Sequence, residues 1–498
     1  MDISAMLTSA VDDDPDRVGI EFEGVPISCR TLHEYFGQLQ GTLVQAGVPA
    51  NAPIALLARN RPAQAAALLG LVESRRAVSN VYAFQSPEAV AADLESSRFQ
   101  VIVAEASDWT GPVIEAARRL GAVGISLSFA DQPKVQLVPG LERPGPGPFR
   151  PPLDEPGLEI LSSGTTGPPK RVAISNRVLM RTVQSLLQGG GSAGKLAPDI
   201  VIWPIAGVGG ASCVIGDFAL KRTIVLLERF DLPVWLEAVR RHRVPTTNVP
   251  PTVLRMILDA DTPRESLTDL KYIFGGAAPL SPELQDEFEA AYGIPLIWAY
   301  GATEFCGTLT SWTPELYETY RNSKRGSIGR PVGGTEIRIV DQGTGLQLPV
   351  GQIGLVEAHA IEMGPDWVRT TDLAYFDEDG FLFHQGRADG AIVRGGFKIL
   401  PERIDDVLRE HDSVFDAATV GLGDARLGQI PVTAVELAHG KPAPTPDDLI
   451  AFLKQRVSAP YIPSRIRIVD RLPRTTSLKP KIDELRELFE QEADDATG

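Results

Sequence analysis

Short apolar runs and helical patterns alternate along the first 300 residues, and this alternation limits the fold more than any other feature of the sequence. Strand-like runs lie at residues 19–23, 54–58, 79–83 and 99–104. From Thr31 onward, apolar positions with helical spacing separate these runs. Strands that alternate with helices predict a largely parallel sheet with helices on both of its faces.

The same alternation resumes between residues 177 and 300. Two loops of small residues follow predicted strands there: residues 275–279 come after the strand at 271–274, and residues 300–304 come after 295–299. Open α/β sheets bind ligands at the carboxyl ends of their strands. The sequence therefore predicts that these two loops contribute to a ligand site.

The rest of the chain divides into three stretches. Residues 106–156 end in a run rich in proline and glycine and are predicted to connect elements without forming one. Residues 326–386 contain short strand patterns at 335–340, 354–358 and 380–384 between turns, which predicts a small antiparallel β subdomain. The residues after Arg387 predict a compact α+β piece.

The predicted fold class is thus α/β. A large N-terminal domain of helix-covered, largely parallel sheets, with the β subdomain, spans residues 1–387. A small α+β domain spans residues 388–498. A chain of 498 residues is longer than one ordinary hydrophobic core supports, which agrees with this division.

Residues 161–176 read LSSGTTGPPKRVAISN and predict a hairpin. Apolar residues precede the loop at 162–170, and an apolar–polar alternation follows it. The loop consists mainly of backbone amides and hydroxyl groups, and Lys170 adds a positive charge, so it can wrap a polyphosphate. It is not a Walker A loop, because two prolines separate Gly167 from Lys170 and disfavour a helix there.

Charge and cysteine content exclude several classes of partner. A formal net charge of −16 argues against nucleic acid or an anionic membrane as the main partner. The three cysteines form no CxxC pair, which argues against a disulfide framework or a zinc site. No apolar run is long enough to span a bilayer, and the acidic N-terminus does not look like a signal peptide. A cytoplasmic location is therefore expected.

Four stretches together resemble the adenylate-forming superfamily, which comprises acyl-CoA synthetases, adenylation domains of peptide synthetases, and luciferases. They are SSGTTGPPK at 162–170, YGATE at 300–304, the stretch from RTTDLAYF to ILPERID at 369–405, and LPRTTSLKPKI at 472–482. The sequence is most similar to an acyl- or aryl-CoA ligase. This resemblance implies that the chain joins a carboxylate to ATP, releases pyrophosphate, and transfers the acyl group to CoA.

The resemblance also assigns an ATP site. Tyr300 resembles the aromatic residue that stacks on adenine, and Asp372 and Arg387 resemble the residues that hold the ribose. The full set implied for ATP is Ser162, Ser163, Gly164, Thr165, Thr166, Gly167, Lys170, Gly276, Ala277, Ala278, Tyr300, Gly301, Asp372 and Arg387.

Catalytic roles are implied for Thr303, Glu304 and Lys479. Glu304 resembles the family's Mg²⁺ ligand, and a carboxylate oxygen suits this ion beside phosphate oxygens. Lys479 resembles the lysine that bridges the two reactants during adenylation, where a cation stabilises developing negative charge. Lys481 is the nearby alternative, and the spacing from Pro473 favours Lys479.

The resemblance further implies a domain rotation between the two half-reactions. Asp389 matches the hinge position, and Arg394, Gly395, Gly396 and Phe397 match the segment that the family presents to CoA. Two glycines there would let a pantetheine arm pass.

Several positions depart from the family pattern. Arg171 and Leu478 stand where glycines are usual, and Thr371 replaces the glycine before the ribose aspartate. No acidic residue lies between Trp203 and Ile215, whereas adenylation domains of peptide synthetases place an aspartate in this segment to pair with the amino group of their substrate. This difference argues against an amino acid as substrate. Many acyl-CoA ligases carry a bulky aromatic residue and a histidine in this segment, where this chain has Ala206 and Gly207. The smaller side chains imply a roomier acid pocket or a more open route for the thiol. The implied apolar lining suits an aryl or alkyl acid and consists of Trp203, Ala206, Gly207, Val208, Cys213, Ala302, Phe305 and Cys306.

Two alternatives stay open beside the CoA ligase. The enzyme could load the acid onto a separate carrier protein, or the chain could be a non-catalytic scaffold that binds nucleotide. The presence of Lys170, Glu304, Asp372, Arg387 and Lys479 argues against the scaffold. The resemblance leaves both a monomer and a homodimer open.

Overall fold

The computed structural model describes residues 2–129, 132–153, 155–161, 171–188, 196–276, 278–388, 390–394, 397–424, 427–475 and 478–495. Its strands are β1 (Val18–Phe22), β2 (Val25–Ser28), β3 (Ile54–Ala58), β4 (Ala77–Tyr82), β5 (Val101–Glu105), β6 (Val123–Ser128), β7 (Lys134–Leu137), β8 (Gly157–Leu161), β9 (Arg171–Ser175), β10 (Asp199–Val201), β11 (Ile224–Leu226), β12 (Thr246–Val249), β13 (Tyr272–Gly275), β14 (Leu296–Ala302), β15 (Gly307–Ser311), β16 (Arg330–Pro331), β17 (Glu336–Val340), β18 (Gly354–His359), β19 (Val368–Phe376), β20 (Leu382–Arg387), β21 (Ile392–Arg394), β22 (Phe397–Ile399), β23 (Val414–Asp424), β24 (Gly428–Leu437) and β25 (Arg465–Val469).

The helices are α1 (Ile3–Asp12), α2 (Cys29–Gln45), α3 (Pro62–Glu73), α4 (Pro87–Ser97), α5 (Gly111–Leu120), α6 (Asn176–Gln188), α7 (Val208–Ala219), α8 (Leu232–His242), α9 (Pro251–Asp259), α10 (Pro282–Tyr292), α11 (Pro314–Tyr320), α12 (Pro401–Arg409), α13 (Pro446–Lys454) and α14 (Ile482–Asp495).

The first sheet has the strand order β7-β6-β5-β3-β4-β8-β9 and is parallel except at its two edges. The helix α3 is rich in alanine and leucine and is buried on nearly all sides between this sheet and its neighbours. The sequence predicted this parallel, helix-covered sheet, and the structure confirms it. The hairpin predicted around residues 162–170 is also present, because β8 and β9 pair in antiparallel fashion from Gly157 to Ser175.

Two further sheets complete the large domain's α/β part. One has the order β10-β11-β1-β2, and the other has the order β12-β13-β14-β15-β16. The strands β12, β13 and β14 are parallel, so the loops that follow β13 and β14 lie at the same edge. The loop after β13 thus lies beside the end of β14, as predicted. Residues 300–302, which were predicted to lie in a loop, instead extend β14 and pair with β15.

The predicted β subdomain is an antiparallel sheet with the order β17-β18-β19-β20. The strand patterns at 335–340, 354–358 and 380–384 correspond to β17, β18 and β20. The sequence analysis did not identify β19, because its residues were interpreted as a motif and not as a strand. In the sheet β19 pairs with both β18 and β20.

The C-terminal domain has its own sheet and its own apolar core. Its strands follow the order β22-β21-β24-β23, and β25 pairs with β24. Apolar residues from this sheet and from α12, α13 and α14 form two clusters on its faces. An α+β piece after Arg387 was predicted, and the structure confirms its composition.

One expectation for residues 106–156 is wrong. This stretch contains the amphipathic helix α5 and the strands β6 and β7. The helix begins with a Gly-Pro pair at residues 111–112, which resembles a turn, yet proline is well tolerated in the first turn of a helix. The chain also has α1 before the first strand, capped by Asp2. The helix α2 begins at Cys29, two residues before the expected start at Thr31, and Ser28 is its cap.

No helix among the described residues is long and apolar enough to cross a membrane. Cys29 and Cys306 are buried, and Cys213 is partly buried.

Candidate active site

The loop after β13 lies against β14, and β14 lies against β15, at distances that require glycine. A Cβ atom at Gly276 would lie 2.8 Å from the Ala299 carbonyl oxygen, and one at Gly301 would lie 2.4 Å from the Gly307 carbonyl oxygen. The indole of Trp298 donates to the Ala278 carbonyl oxygen at 2.9 Å and fixes the first loop. The loop with Gly276 and Ala278, which the resemblance implies for ATP, is therefore held against the end of β14, where Tyr300 lies.

Asp372 on β19 joins this edge to the β subdomain. The Tyr300 hydroxyl donates to one carboxylate oxygen of Asp372 at 2.5 Å, and His384 Nε2 lies 3.7 Å from the other. Burial alone would raise the pKa of Asp372, but the neighbouring His384 and Tyr300 together with the Arg387 charge hold it below its ordinary value. Asp372 is therefore an ionised acceptor at neutral pH. His384 is a site residue that the sequence analysis missed.

Arg387 lies beside Asp372 because the two residues pair across β19 and β20. Its Nε and Nη2 atoms both donate to the hydroxyl of Thr371, at 3.2 Å and 2.6 Å, and its Nε atom lies 3.8 Å from the Asp372 carboxylate. Thr371 is one of the departures from the family pattern. In this chain its hydroxyl orients the guanidinium group toward the edge that carries Asp372.

Replacing Thr371 by valine is expected to raise the KM for ATP about threefold to tenfold with a smaller effect on kcat. Valine has nearly the same shape but cannot accept the two hydrogen bonds from Arg387, and a hydrogen bond to a charged group contributes on the order of 1.5 kcal/mol. Steady-state kinetics with varied ATP would measure the change. Thr371→Ser is the matched control and should restore the wild-type KM. Equal KM values in all three proteins would contradict this role for the hydroxyl.

Lys479 approaches the same site from the C-terminal domain. Burial lowers the pKa of its ammonium group, the Arg387 charge lowers it further, and Asp372 opposes both. Lys479 also lines a cavity of about 120 Å³ whose other wall includes Pro251 and Ala278 of the large domain. Tyr300, Asp372, Arg387 and Lys479, which lie up to 179 positions apart in the sequence, are thus brought to one place.

The lowered pKa of Lys479 predicts a shifted alkaline limit of activity. A lysine whose pKa is lowered loses its proton at a pH below the ordinary value of 10.5. The profile of kcat/KM for ATP reports the free enzyme and should therefore fall below that pH. Bound phosphates would raise the pKa, so the fall in kcat should come at higher pH. Lys479→Arg should remove the fall in kcat/KM, since arginine stays charged. A fall at or above 10.5 would contradict the burial of the ammonium group.

The segment from Trp203 to Gly207 is held in place by two buried asparagines. Asn60 accepts from the Ile205 amide at 2.8 Å and donates to the Trp203 carbonyl oxygen at 2.9 Å, and Asn80 donates to the Ile205 carbonyl oxygen at 2.6 Å. We refer to Asn60 and Asn80 as the asparagine clamp. The sequence analysis missed both residues, because their partners are more than 100 positions away.

Part of the space expected near Gly207 is filled by Tyr82 at the end of β4. A Cβ atom at Gly207 would lie 3.0 Å from the Tyr82 hydroxyl oxygen. Burial raises the pKa of Tyr82, which therefore stays a neutral hydroxyl. The Tyr82 hydroxyl therefore lies beside Gly207 where a side chain would stand, and the roomier acid pocket stays a prediction.

The other predicted lining residues differ in exposure. Phe305 and Cys306 are fully buried, Ala206 and Trp203 are nearly so, and Val208, Cys213 and Ala302 are partly buried. Burial raises the pKa of the Cys213 thiol, and the nearby Asp199 and Asp217 raise it further. A thiol that stays protonated is a poor nucleophile, so Cys213 acts as a small apolar residue.

Arg394, which the resemblance implies, and Arg171, which departs from the family pattern, both have structural contacts of their own. Arg394, implied for CoA, donates from Nη1 to the carbonyl oxygens of Pro460 and Ile462 at 2.9 Å and 2.8 Å. Arg171 binds both carboxylate oxygens of Asp93 at 2.6 Å and 2.7 Å, which ties β9 to α4 directly after the loop at 162–170.

The remaining implied positions fall outside the description. They are residues 162–170, Ala277, Asp389, Gly395 and Gly396, together with the side chains of Glu304 and Phe397. The backbone of Thr303 and Glu304 forms a short 3-10 turn after β14. Among the side chains that are described, no group of three or more His, Cys, Asp or Glu residues is arranged to hold a metal ion.

Comparison with protein families gives two matches that cover most of the chain. The model described as AMP-binding enzyme matches residues 7–359, and the model described as AMP-binding enzyme C-terminal domain matches residues 403–479.

Similar curated proteins include ligases for CoA and for a carrier protein. The putative acyl-CoA ligase YdaB of Bacillus subtilis is 30% identical over 352 residues, which cover 67% of this chain and 68% of that protein. The 4-coumarate–CoA ligase-like 9 of Oryza sativa is 30% identical and covers 77% of this chain and 69% of its own. The fatty acid–[acyl-carrier-protein] ligase ScoC of Streptomyces coeruleorubidus is 28% identical over 96% of this chain and 94% of its own.

Solved structures share the fold over nearly the whole chain. An ATP-bound RpMatB-BxBclM chimera has a TM-score of 0.83 at 22% identity, covering 99% of both chains. The o-succinylbenzoate CoA synthetase MenE of Bacillus subtilis, in complex with its acyl-adenylate intermediate, has a TM-score of 0.78 at 22% identity over 97% of each chain.

Proposed function

This chain belongs to the family of AMP-binding enzymes, and we propose that it is an AMP-forming ligase that activates an apolar aryl or alkyl carboxylic acid with ATP and then transfers the acyl group to the thiol of CoA. The observation that carries the proposal is the meeting of Lys479, from the C-terminal domain, with Asp372 and Arg387 of the large domain. These groups suit a site where two anions must react.

In the first half-reaction an oxygen of the acid's carboxylate attacks the α-phosphorus of ATP. The bond from this phosphorus to the bridging oxygen breaks, and pyrophosphate leaves. Asp372 is an ionised acceptor with free acceptor capacity for the ribose hydroxyls, since a carboxylate offers about four lone-pair sites. The Lys479 ammonium would neutralise charge on the carboxylate and the α-phosphate as it develops.

Magnesium fits this proposal through Glu304 and the phosphates of ATP. One carboxylate together with phosphate oxygens and water is the usual set of ligands that Mg²⁺ takes when it accompanies a nucleotide. The ion would neutralise phosphate charge. The loop at 162–170, with Lys170, would hold the β- and γ-phosphates through its amides and hydroxyls.

In the second half-reaction the sulfur of CoA attacks the acyl carbon, and AMP leaves as the carbon–oxygen bond breaks. We propose that residues 388–498 rotate about Asp389 between the two steps, which withdraws Lys479 and brings the segment at 394–397 to the site. The division at residues 387 and 388 belongs to this proposal. The separate apolar core of the C-terminal domain supports movement as a unit.

A carrier-protein thiol is the second candidate acceptor. The specific observation in its favour is that the similarity to a fatty acid–[acyl-carrier-protein] ligase extends over almost the entire chain. The first half-reaction is the same for both acceptors, so only the second distinguishes them.

Release of pyrophosphate with ATP and Mg²⁺ tests the proposal. A panel of aryl, alicyclic, short-chain and medium-chain acids would be assayed with CoA, with an acyl carrier protein, and without either. Acid-dependent release with a CoA thioester detected by mass spectrometry is the expected result. A thioester on the carrier protein alone would move the assignment to the second acceptor. Acid-independent binding of ATP without any release would favour the scaffold.

A further inference from the structure

Leu478, the residue directly before Lys479, has a backbone conformation that suits glycine. Its φ angle is +62°, in the left-handed region, which a branched side chain seldom adopts. Its amide donates to the Thr475 carbonyl oxygen at 2.9 Å, and its own carbonyl oxygen accepts from Arg474 at 3.2 Å. Strain of this kind persists where the surrounding structure compensates for it.

The segment that carries Leu478 is fastened to the C-terminal domain. The Arg474 guanidinium is buried and donates to Asp416 at 2.6 Å and to Glu436 at 3.2 Å. Asp416 also accepts from Arg409 at 2.7 Å. The hydrogen bonds that shape the segment therefore lie within the C-terminal domain. The unfavourable φ angle of Leu478 is consequently the same in every position of this domain relative to the large domain.

The side chain of Leu478, in contrast, packs against the other domain. It contacts the apolar core of the large domain and lines the interdomain cavity together with Pro251 and Leu284. This contact exists only while the C-terminal domain holds Lys479 in the site. The packing therefore favours one arrangement of the domains, whereas the backbone strain favours neither.

We propose that Leu478 is a positioning residue that holds Lys479 in the adenylation site by packing on the large domain, so that this chain favours acyl-adenylate formation over release to the thiol step. The inference rests on the proposed function, in which the C-terminal domain rotates between half-reactions. A leucine in place of glycine gives the chain an apolar contact beside its catalytic lysine, and separation of the domains would expose that side chain to water.

Three substitutions separate the contact from the backbone. Leu478→Gly removes the side chain and the strain, Leu478→Asn removes the apolar contact but tolerates the left-handed backbone, and Leu478→Met keeps an apolar side chain of similar volume. None should unfold the protein, because glycine and asparagine relieve strain and methionine conserves volume.

The kinetic test measures both half-reactions separately. Glycine and asparagine should each slow pyrophosphate release and speed thioester formation from supplied acyl-AMP, changing the ratio of the two rates about tenfold, as expected for the loss of a partly buried leucine contact. Methionine should behave like the wild type. A parallel loss in both half-reactions, or a change with glycine but not with asparagine, would overturn the proposal.

A second measurement reports the domain arrangement without any reaction. Dyes would be attached at Glu378→Cys and Lys441→Cys, two exposed positions in the large and C-terminal domains. In the ligand-free protein, single-molecule energy transfer should show the glycine and asparagine variants leaving the wild-type distance more often. Unchanged distances would overturn the role of Leu478. Failure of the wild type to activate any acid would instead count against the proposed function, and the distances would still decide the inference.

Discussion

Replacing Lys479 by alanine is expected to slow acyl-adenylate formation by about 10²- to 10³-fold and to leave thioester formation from supplied acyl-AMP nearly unchanged. The ammonium group lies where burial and Arg387 both disfavour its charge, so the fold keeps a costly cation at this place. Such a cation stabilises a nearby anion, and the negative charge that it must stabilise is largest in the transition state. Loss of one preorganised donor commonly lowers rates by this factor.

The matched control for this prediction is Lys481→Ala. Lys481 lies two residues away, is largely exposed, and pairs with Glu484 on α14. It carries the same charge without facing the site, so its loss should change neither half-reaction by more than about twofold, as for most surface substitutions. Pyrophosphate release and mass-detected thioester formation would be measured on both variants. An equal loss of both half-reactions in Lys479→Ala would show that the lysine does not act selectively in adenylation.

Replacing Asp372 by asparagine is expected to raise the KM for ATP about 10²-fold. The carboxylate accepts a hydrogen bond from the Tyr300 hydroxyl and lies between His384 and Arg387. Its negative charge therefore attracts and orients these neighbouring groups. Two hydrogen bonds from ribose hydroxyls to a charged acceptor contribute together roughly 3 kcal/mol, which corresponds to this factor. Asparagine preserves the shape but supplies a single neutral acceptor.

A nucleotide lacking one hydroxyl makes this test specific. With 2′-deoxy-ATP the wild type should lose affinity, and Asp372→Asn should lose little more, because the two changes remove the same interaction. Asp379→Asn, an exposed residue of the same subdomain that pairs with Lys324, is the control and should respond to 2′-deoxy-ATP as the wild type does. If the substitution Asp372→Asn and the use of 2′-deoxy-ATP instead reduced affinity additively, the result would contradict a contact between Asp372 and the ribose.

The fold was predictable where local pattern and packing agree. The parallel strands β3 and β5 are nearly continuous apolar runs, and the hairpin of β8 and β9 has an apolar strand before its polar loop and an apolar–polar alternation after it. The helix α5 was missed because its Gly-Pro start resembles a turn and its apolar face is short. Local composition does not distinguish a turn from the first turn of a helix, and packing on the sheet decides.

The candidate site was predictable only in part. Tyr300, Asp372 and Lys479 belong to motifs that a resemblance identifies, and the structure adds that they meet at one place. His384 and Thr371 contact these residues, but nothing in their local sequence indicates it. Their roles depend on register across β19 and β20, which pairs Asp372 with Arg387. Contacts between distant segments cannot be derived from periodicity along either one.

The asparagine clamp has a consequence for how the substrate specificity of such an enzyme can change. Asn60 and Asn80 hold the segment from Trp203 to Gly207 through main-chain groups of Trp203 and Ile205. Because backbone amides and carbonyl groups are present whatever side chain a residue carries, these hydrogen bonds do not depend on the side chains of the segment. Side chains of this segment can therefore be replaced one at a time while the hydrogen bonds of the asparagine clamp are kept. Selection for a new acid could thus proceed by small steps, each retaining a working enzyme.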